Sequence, residues 1–228
     1  MFSNVSLRPT TRRGWIGTLA AFVLVPMILT IATQSTSHAA QSSRGRTLLV
    51  LGDSISAEYG LKRDSGWVKL LDARLRNEGL AYDIVNSSIS GETTSGGLSR
   101  IDELLSRLHP AIVIVELGGN DGLRGLALAT TEQNLAAIVT RSGKAGAAVL
   151  LIGMQLPPNY GKAYTDRFAA IYAQVSKRYK TALTPFFFAG FADRYELFQS
   201  DRIHPTGAAQ VRLLDNVWPA LRPLLKAR

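Results

Sequence analysis

The 228 residues, 46% of them apolar and 19% charged, suffice for one sizeable hydrophobic core and fall short of two typical domains. Their formal net charge of +9 is interspersed, without a basic tract or interleaved aromatics, which argues against nucleic acid as a partner. With no cysteine, the chain has no disulfide, no thiol nucleophile and no thiolate metal site.

Residues 1–40 place Arg8, Arg12 and Arg13, without an acid, ahead of an apolar stretch from Trp15 to Ile31 and a small-residue exit at His38-Ala39-Ala40. That order is the one a secretory signal peptide shows. Export to the periplasm or beyond is expected, with cleavage near Ala39 or Ala40 and a single domain over 41–228. A retained membrane anchor is the rival reading. Pro26 and the small residues favour cleavage, and the 17 residues of the apolar stretch fall below the roughly 20 that a spanning helix needs. The Arg12-Arg13 pair fits either the general or the twin-arginine route. Three of the 26 basic residues and none of the 17 acidic ones lie in this segment, leaving a mature charge near +6 that permits at most peripheral contact with lipid.

Thr47 to Leu51 is an apolar run that stops at Gly52, which reads as a buried strand with Ser54 just beyond its carboxyl end. Trp67, Val68, Leu70, Leu71 and Leu75 recur at helical spacing up to Gly79. Tyr82 to Asn86 is a second strand, and Ile101, Leu104, Leu105 and Leu108 mark a second helix closing at His109-Pro110. The continuous run Ala111 to Glu116, mostly β-branched, reads as a central strand buried on both faces. A helix over Thr131 to Arg141, a strand over Ala147 to Ile152, a helix carrying Tyr164, Phe168, Ile171, Tyr172, Val175 and Tyr179, and a fifth strand over Leu183 to Phe187 follow. The last helix is expected from about Pro205 to Leu225, with proline in the first turn where its missing N–H costs nothing. Strands alternating with helices specify an α/β fold: a three-layer α/β/α sandwich around a five-stranded parallel sheet in flavodoxin-like order.

The carboxyl ends of parallel strands share one edge, so the loops beginning at Gly52, Ser87, Leu117 and Gly153 should line one cleft. Ser54 is the candidate nucleophile there, against the plainer reading of Gly-Asp-Ser as turn and N-cap chemistry. Its own N–H, the N–H of Gly91 and the side-chain amide of Asn120 can together supply an oxyanion hole. Taken singly, Gly91 is as readily a turn glycine and Asn120 a cap. Only two histidines follow residue 40. His109 enters the central strand at the opposite edge, which leaves His204 as the base. Asp201, three residues earlier, can orient its imidazole, with Asp193 as a fallback partner. Asp53 reads as a structural turn cap.

Gly52-Asp53-Ser54, Gly91, Gly119-Asn120-Asp121 and Asp201-x-x-His204 resemble, in order, the four blocks of the GDSL, or SGNH, hydrolase family, and span nearly all of the mature chain. The resemblance implies Ser54 as nucleophile, His204 and Asp201 as the rest of a triad, and Gly91 and Asn120 as oxyanion donors with the Ser54 N–H. Val115 to Gly125 and Leu156 to Gly161 are more closely similar to the secreted bacterial acyl-CoA thioesterase, protease and lysophospholipase branch. That likeness assigns the segment Gly122 to Leu126, with Gly122, Leu123 and Arg124 foremost, to substrate binding, together with Leu156. The aromatic Tyr160 is added as an acyl-chain contact. Gln155 stands where that branch carries Arg, which leaves chain-length preference open.

The expected reaction is acyl transfer from an ester or thioester to water by a monomer, with no cofactor, since the chain has no phosphate-cradling glycine loop and no metal-ligand cluster. Acyl-CoA, lysophospholipid and aryl esters fit it alike, and carbohydrate O-deacetylation is an alternative. Two other readings compete. One is a flavodoxin-like metal or phosphate site with Asp53 and Asp121 holding a divalent ion, and the other a non-catalytic scaffold.

Overall fold

The computed structural model describes residues 46–225, so the expected export signal and its cleavage point lie outside the described residues. Five strands, β1 (Arg46–Gly52), β2 (Tyr82–Asn86), β3 (Ile112–Glu116), β4 (Ala148–Ile152) and β5 (Ala182–Thr184), pair in parallel in the order β2-β1-β3-β4-β5. This is the flavodoxin-like order. Its reversal falls between β1 and β3, and ligands of open α/β sheets bind beyond the carboxyl ends at such a point. The register pairs Gly52 with Glu116 there, so the loop after β1 and the loop after β3 leave the sheet side by side.

Burial follows the strand sequences. Every residue of β3 is buried, as an unbroken Ile-Val-Ile-Val run in the middle of a covered sheet requires. Helices α1 (Trp67–Asn77) and α6 (Gln210–Leu221) pack together over the sheet, and α2 (Thr94–Leu108), α4 (Leu128–Lys144) and α5 (Lys162–Tyr179) form a second group. A single turn, α3 (Gly119–Leu123), follows β3. Each long helix turns one apolar stripe inward, Trp67, Val68, Leu71 and Leu75 on α1 and Phe168, Ile171, Tyr172 and Val175 on α5. Leu71, Leu75 and Phe168 are wholly out of water, and each such side chain contributes roughly 1.5–3 kcal/mol of transfer free energy.

Three elements depart from the expected bounds. The fifth strand ends at Thr184 instead of Phe187, because Pro185 has no N–H for the ladder. The chain turns there, with Gly153 N–H donating to Thr184 O and Phe187 N–H to Gly153 O, and Phe186, Phe187 and Phe188 pack in an aromatic cluster. The last helix begins at Gln210, after a 3-10 turn over Gly207–Ala209, and not at Pro205. Pro205 instead bridges Phe198, and two bonds, Gln199 N–H to His204 O at 2.7 Å and Thr206 N–H to Leu197 O at 2.8 Å, hold 204–206 extended. α4 runs three residues longer at each end than expected, Leu128–Lys144.

Candidate active site

Gly52 ends β1 where a Cβ would lie 2.8 Å from Glu116 Oε2 and from Ser56 Oγ, so only glycine lets the strand close onto that carboxyl. The chain then coils tightly. Asp53 Oδ1 accepts the Ile55 N–H at 3.1 Å, Asp53 O the Ala57 N–H at 2.9 Å, and Ser54 O the Tyr59 N–H at 3.0 Å. These bonds fix Ser54, 9% exposed, at the sheet edge.

His204 Nε2 lies 2.9 Å from Ser54 Oγ, and His204 Nδ1 lies 2.7 Å from Asp201 Oδ2. The three-residue spacing works through the backbone: Asp201 Oδ1 accepts the N–H of Ile203 at 2.9 Å and of His204 at 3.0 Å, folding the loop so that the second oxygen meets the imidazole. Burial alone pushes the Asp201 carboxyl up, but the His204 and Ile203 N–H groups and the imidazole outweigh it, leaving Asp201 below the usual carboxylate range. An acceptor at Nδ1 puts the imidazole proton on that nitrogen and leaves Nε2 free to accept from Ser54 Oγ–H. Asp201, not Asp193, is the partner. His109, left-handed (φ 43°) at the end of α2, stands at the opposite edge as expected.

The three expected donors come from three loops. Asn120 lies in α3, after Gly118, whose φ of +110° and contact with the Tyr172 hydroxyl leave no place for a Cβ. Its amide Nδ2 donates to Asp53 Oδ2 at 3.1 Å, which ties it to the nucleophile turn. Gly91, left-handed at φ +77°, follows Ile89, whose N–H donates to Gly52 O at 3.0 Å. Among the described residues, neither the Ser54 N–H nor the Gly91 N–H is spent on a protein acceptor.

Beneath them lie two buried carboxyls. Glu116 is wholly buried; its Oε2 accepts from Ser56 Oγ at 2.7 Å and from the Asp53 N–H at 3.2 Å, and its Oε1 has no partner among the described residues. Burial, with the neighbouring Asp53 charge, holds the Glu116 carboxyl well above its usual range. Burial likewise pushes Asp53 up to about 6, opposed by the Ile55 N–H, His204 and Asn120. Burial is the largest cause of both shifts, and each favours the protonated form of its carboxyl. Ser56 Oγ also accepts from Trp67 Nε1 at 3.2 Å, and Gln210 accepts the Trp67 N–H at 2.9 Å while donating to Thr206 O at 3.1 Å. A buried polar chain thus joins the nucleophile turn to the histidine loop.

The residues expected to bind substrate form one connected block. Arg124 Nη2 donates to Gly91 O at 3.0 Å, and Tyr160 Oη donates to Leu123 O at 3.0 Å. Gly122 is buried; a Cβ on it would collide with Leu156 and Phe168, so Gly122 and Leu156 pack against each other, while Arg124 and Tyr160 reach solvent. Asp121 is not paired with Asp53 as a metal reading requires. Its carboxylate accepts the Thr94 N–H at 2.9 Å and bonds Thr94 Oγ1 and Thr131 Oγ1, fastening the start of α2 to α4. A groove of about 740 Å³ between α1 and β2, lined by Asp72, Arg76, Tyr82 and Asp83 among others, holds none of these residues.

Residues 50–212 match the GDSL-like lipase/acylhydrolase family. The chain belongs to this family. As a family member it is an acyl hydrolase. It is 54% identical over 185 residues to esterase TesA of Pseudomonas aeruginosa, covering 81% of this chain and 92% of that one. It is 41% identical over 179 residues to thioesterase 1/protease 1/lysophospholipase L1 of Escherichia coli K12, covering 78% and 85%. Among solved structures, the psychrotrophic esterase EstA from Pseudoalteromonas sp., inhibited by monoethylphosphonate, superposes with a TM-score of 0.74 at 39% identity, covering 78% of this chain and 97% of that one. Sequence reasoning about this GDSL hydrolase missed Glu116, for which an acid closing an otherwise apolar central strand was a usable signal.

Proposed function

We propose that this chain hydrolyses carboxylic esters and thioesters with Ser54 as nucleophile, His204 as general base and acid, and Asp201 as the group that orients the imidazole. The observation that carries the reading is the unbroken relay Asp201 Oδ2, His204 Nδ1, His204 Nε2, Ser54 Oγ at 2.7 and 2.9 Å. His204 takes the Ser54 proton as Oγ attacks the acyl carbon. The unspent N–H groups of Ser54 and Gly91 and the Asn120 amide hold the oxyanion. His204 then protonates the leaving group and afterwards activates water to release the acid. Leu123, Arg124 and Tyr160, backed by Gly122 and Leu156, border the acyl chain. The relatives' names, esterase, thioesterase and lysophospholipase, support an acyl ester or thioester as substrate. The basic, apolar and small-residue order of residues 1–40 supports export before the enzyme acts.

Ser54→Ala and His204→Ala should each abolish hydrolysis of a p-nitrophenyl acyl ester, and Ser54→Ala should also abolish covalent labelling by a phosphonate probe, with circular dichroism unchanged. Turnover surviving in either variant refutes the assignment. Activity lost to a chelator would favour the metal reading instead.

A further inference from the structure

Tyr59 belongs to none of the family blocks and to no step of the relay. Yet its ring centroid lies 4.4 Å from that of the His204 imidazole, the planes tilted by 39°, while the side chain stays 52% exposed. Its backbone is held at both ends. The N–H donates to Ser54 O at 3.0 Å and the carbonyl accepts from Gln199 Nε2 at 2.8 Å. Glu58, left-handed at φ 62°, adds a third anchor by accepting the N–H groups of Asp64 at 2.8 Å and Gly66 at 2.6 Å. None of these bonds uses the Tyr59 ring, so the loop presents the ring and does not depend on it.

The chemistry brings the departing group to the same imidazole. When the tetrahedral adduct collapses, the leaving atom must lie within hydrogen-bond reach of Nε2, and whatever it carries projects past the imidazole edge. Tyr59 is the large exposed aromatic already in contact with that ring. We propose that Tyr59 forms a leaving-group subsite that selects planar aromatic leaving groups, phenolic esters above all, by stacking. The proposal rests on the acyl-transfer reading of Ser54 and His204. In acylation the bond from Ser54 Oγ to the acyl carbon forms and the bond from that carbon to the phenolic oxygen breaks. The electron pair stays on the phenolic oxygen, which takes the proton that His204 received from Ser54. The acyl-enzyme left behind is the same for every ester of one acid, so Tyr59 acts on acylation and not on deacylation.

The test compares kcat/KM for phenyl butyrate and ethyl butyrate in wild type, Tyr59→Ala and Tyr59→Phe. Tyr59→Ala should lower kcat/KM for the phenyl ester roughly three- to tenfold, the scale of one aromatic pair. The ethyl ester should be unchanged, and Tyr59→Phe should keep the wild-type ratio. Equal losses on both esters would assign Tyr59 to holding the imidazolium by a cation–π contact and overturn the subsite. Loss on neither overturns it as well. Ser54→Ala, assayed alongside, separates the two readings: turnover surviving there faults the relay, whereas an unmoved ester ratio faults only the subsite.

Discussion

Asn120 and Asp53 form a hydrogen-bonded pair in which, on the proposed mechanism, the amide donates to the oxyanion and the carboxylate sets its direction. The amide has two N–H bonds; Asp53 Oδ2 takes one at 3.1 Å, which leaves the second free for the oxyanion. Removing the donor by Asn120→Ala should lower kcat roughly 10²–10³-fold with a smaller change in KM. Asp53→Asn keeps the shape but removes the charge that fixes the amide, and should cost about tenfold in kcat, the scale of a hydrogen bond to a charged group. Its pH profile carries the sharper signature. With Asp53 at about 6, wild-type kcat should fall as pH drops through that value, because the carboxyl takes up a proton and ceases to be a full acceptor. Asp53→Asn should lack that component of the acid limb. An identical limb in both proteins would remove Asp53 from the positioning of Asn120. The sequence marked Asp53 as a turn cap, which it is through Ile55; its second oxygen was invisible because Asn120 is 67 residues away.

At the scale of elements, periodicity located the five strands and the five long helices but not the single turn α3, and the errors at β5 and α6 fall where proline or a distant bridge intervenes. Pro185 cuts β5 short, and the Phe198–Pro205 bridge postpones α6. The second matters for function. An early helix would have drawn His204 into a cap, whereas the extended segment lets the Asp201 turn aim the imidazole at Ser54. The other joint is Gly153, where β4 ends against the backbone of Thr184 and Pro185. A methyl group there meets the Pro185 carbonyl, which cannot rotate aside, so Gly153→Ala should destabilise the fold by roughly 1–3 kcal/mol, the range for overpacking. A urea midpoint equal to wild type would contradict that packing.

For the molecule as a whole, the switch point between β1 and β3 concentrates both function and buried charge. Glu116 is neutral in the folded state at a pH where it is ionised in the unfolded chain, so the native protein binds the extra proton. Stability is then complete below the ordinary carboxylate value of 4.5 and declines as pH rises from there towards the folded value. Gln mimics the neutral acid and does not titrate. Glu116→Gln should match wild type in acid and exceed it by a widening margin as pH rises, read as the urea midpoint; a constant gap at all pH values would show Glu116 charged in the folded state.

The sequence by itself determined the α/β alternation, the flavodoxin-like sheet, Ser54 and His204 as the candidate nucleophile and base, and the ordered blocks that mark the family, because hydrophobic period and short motifs are local properties of the chain. Tertiary structure decided what pairs with what: that Asp201 and not Asp193 meets the imidazole, that Asp121 staples helices while Asp53 steers Asn120, that Glu116 is buried as an acid, and that Tyr59 lies against His204. Those relations join residues brought together by packing at one sheet edge, and no spacing along the chain encodes the angle at which two loops meet.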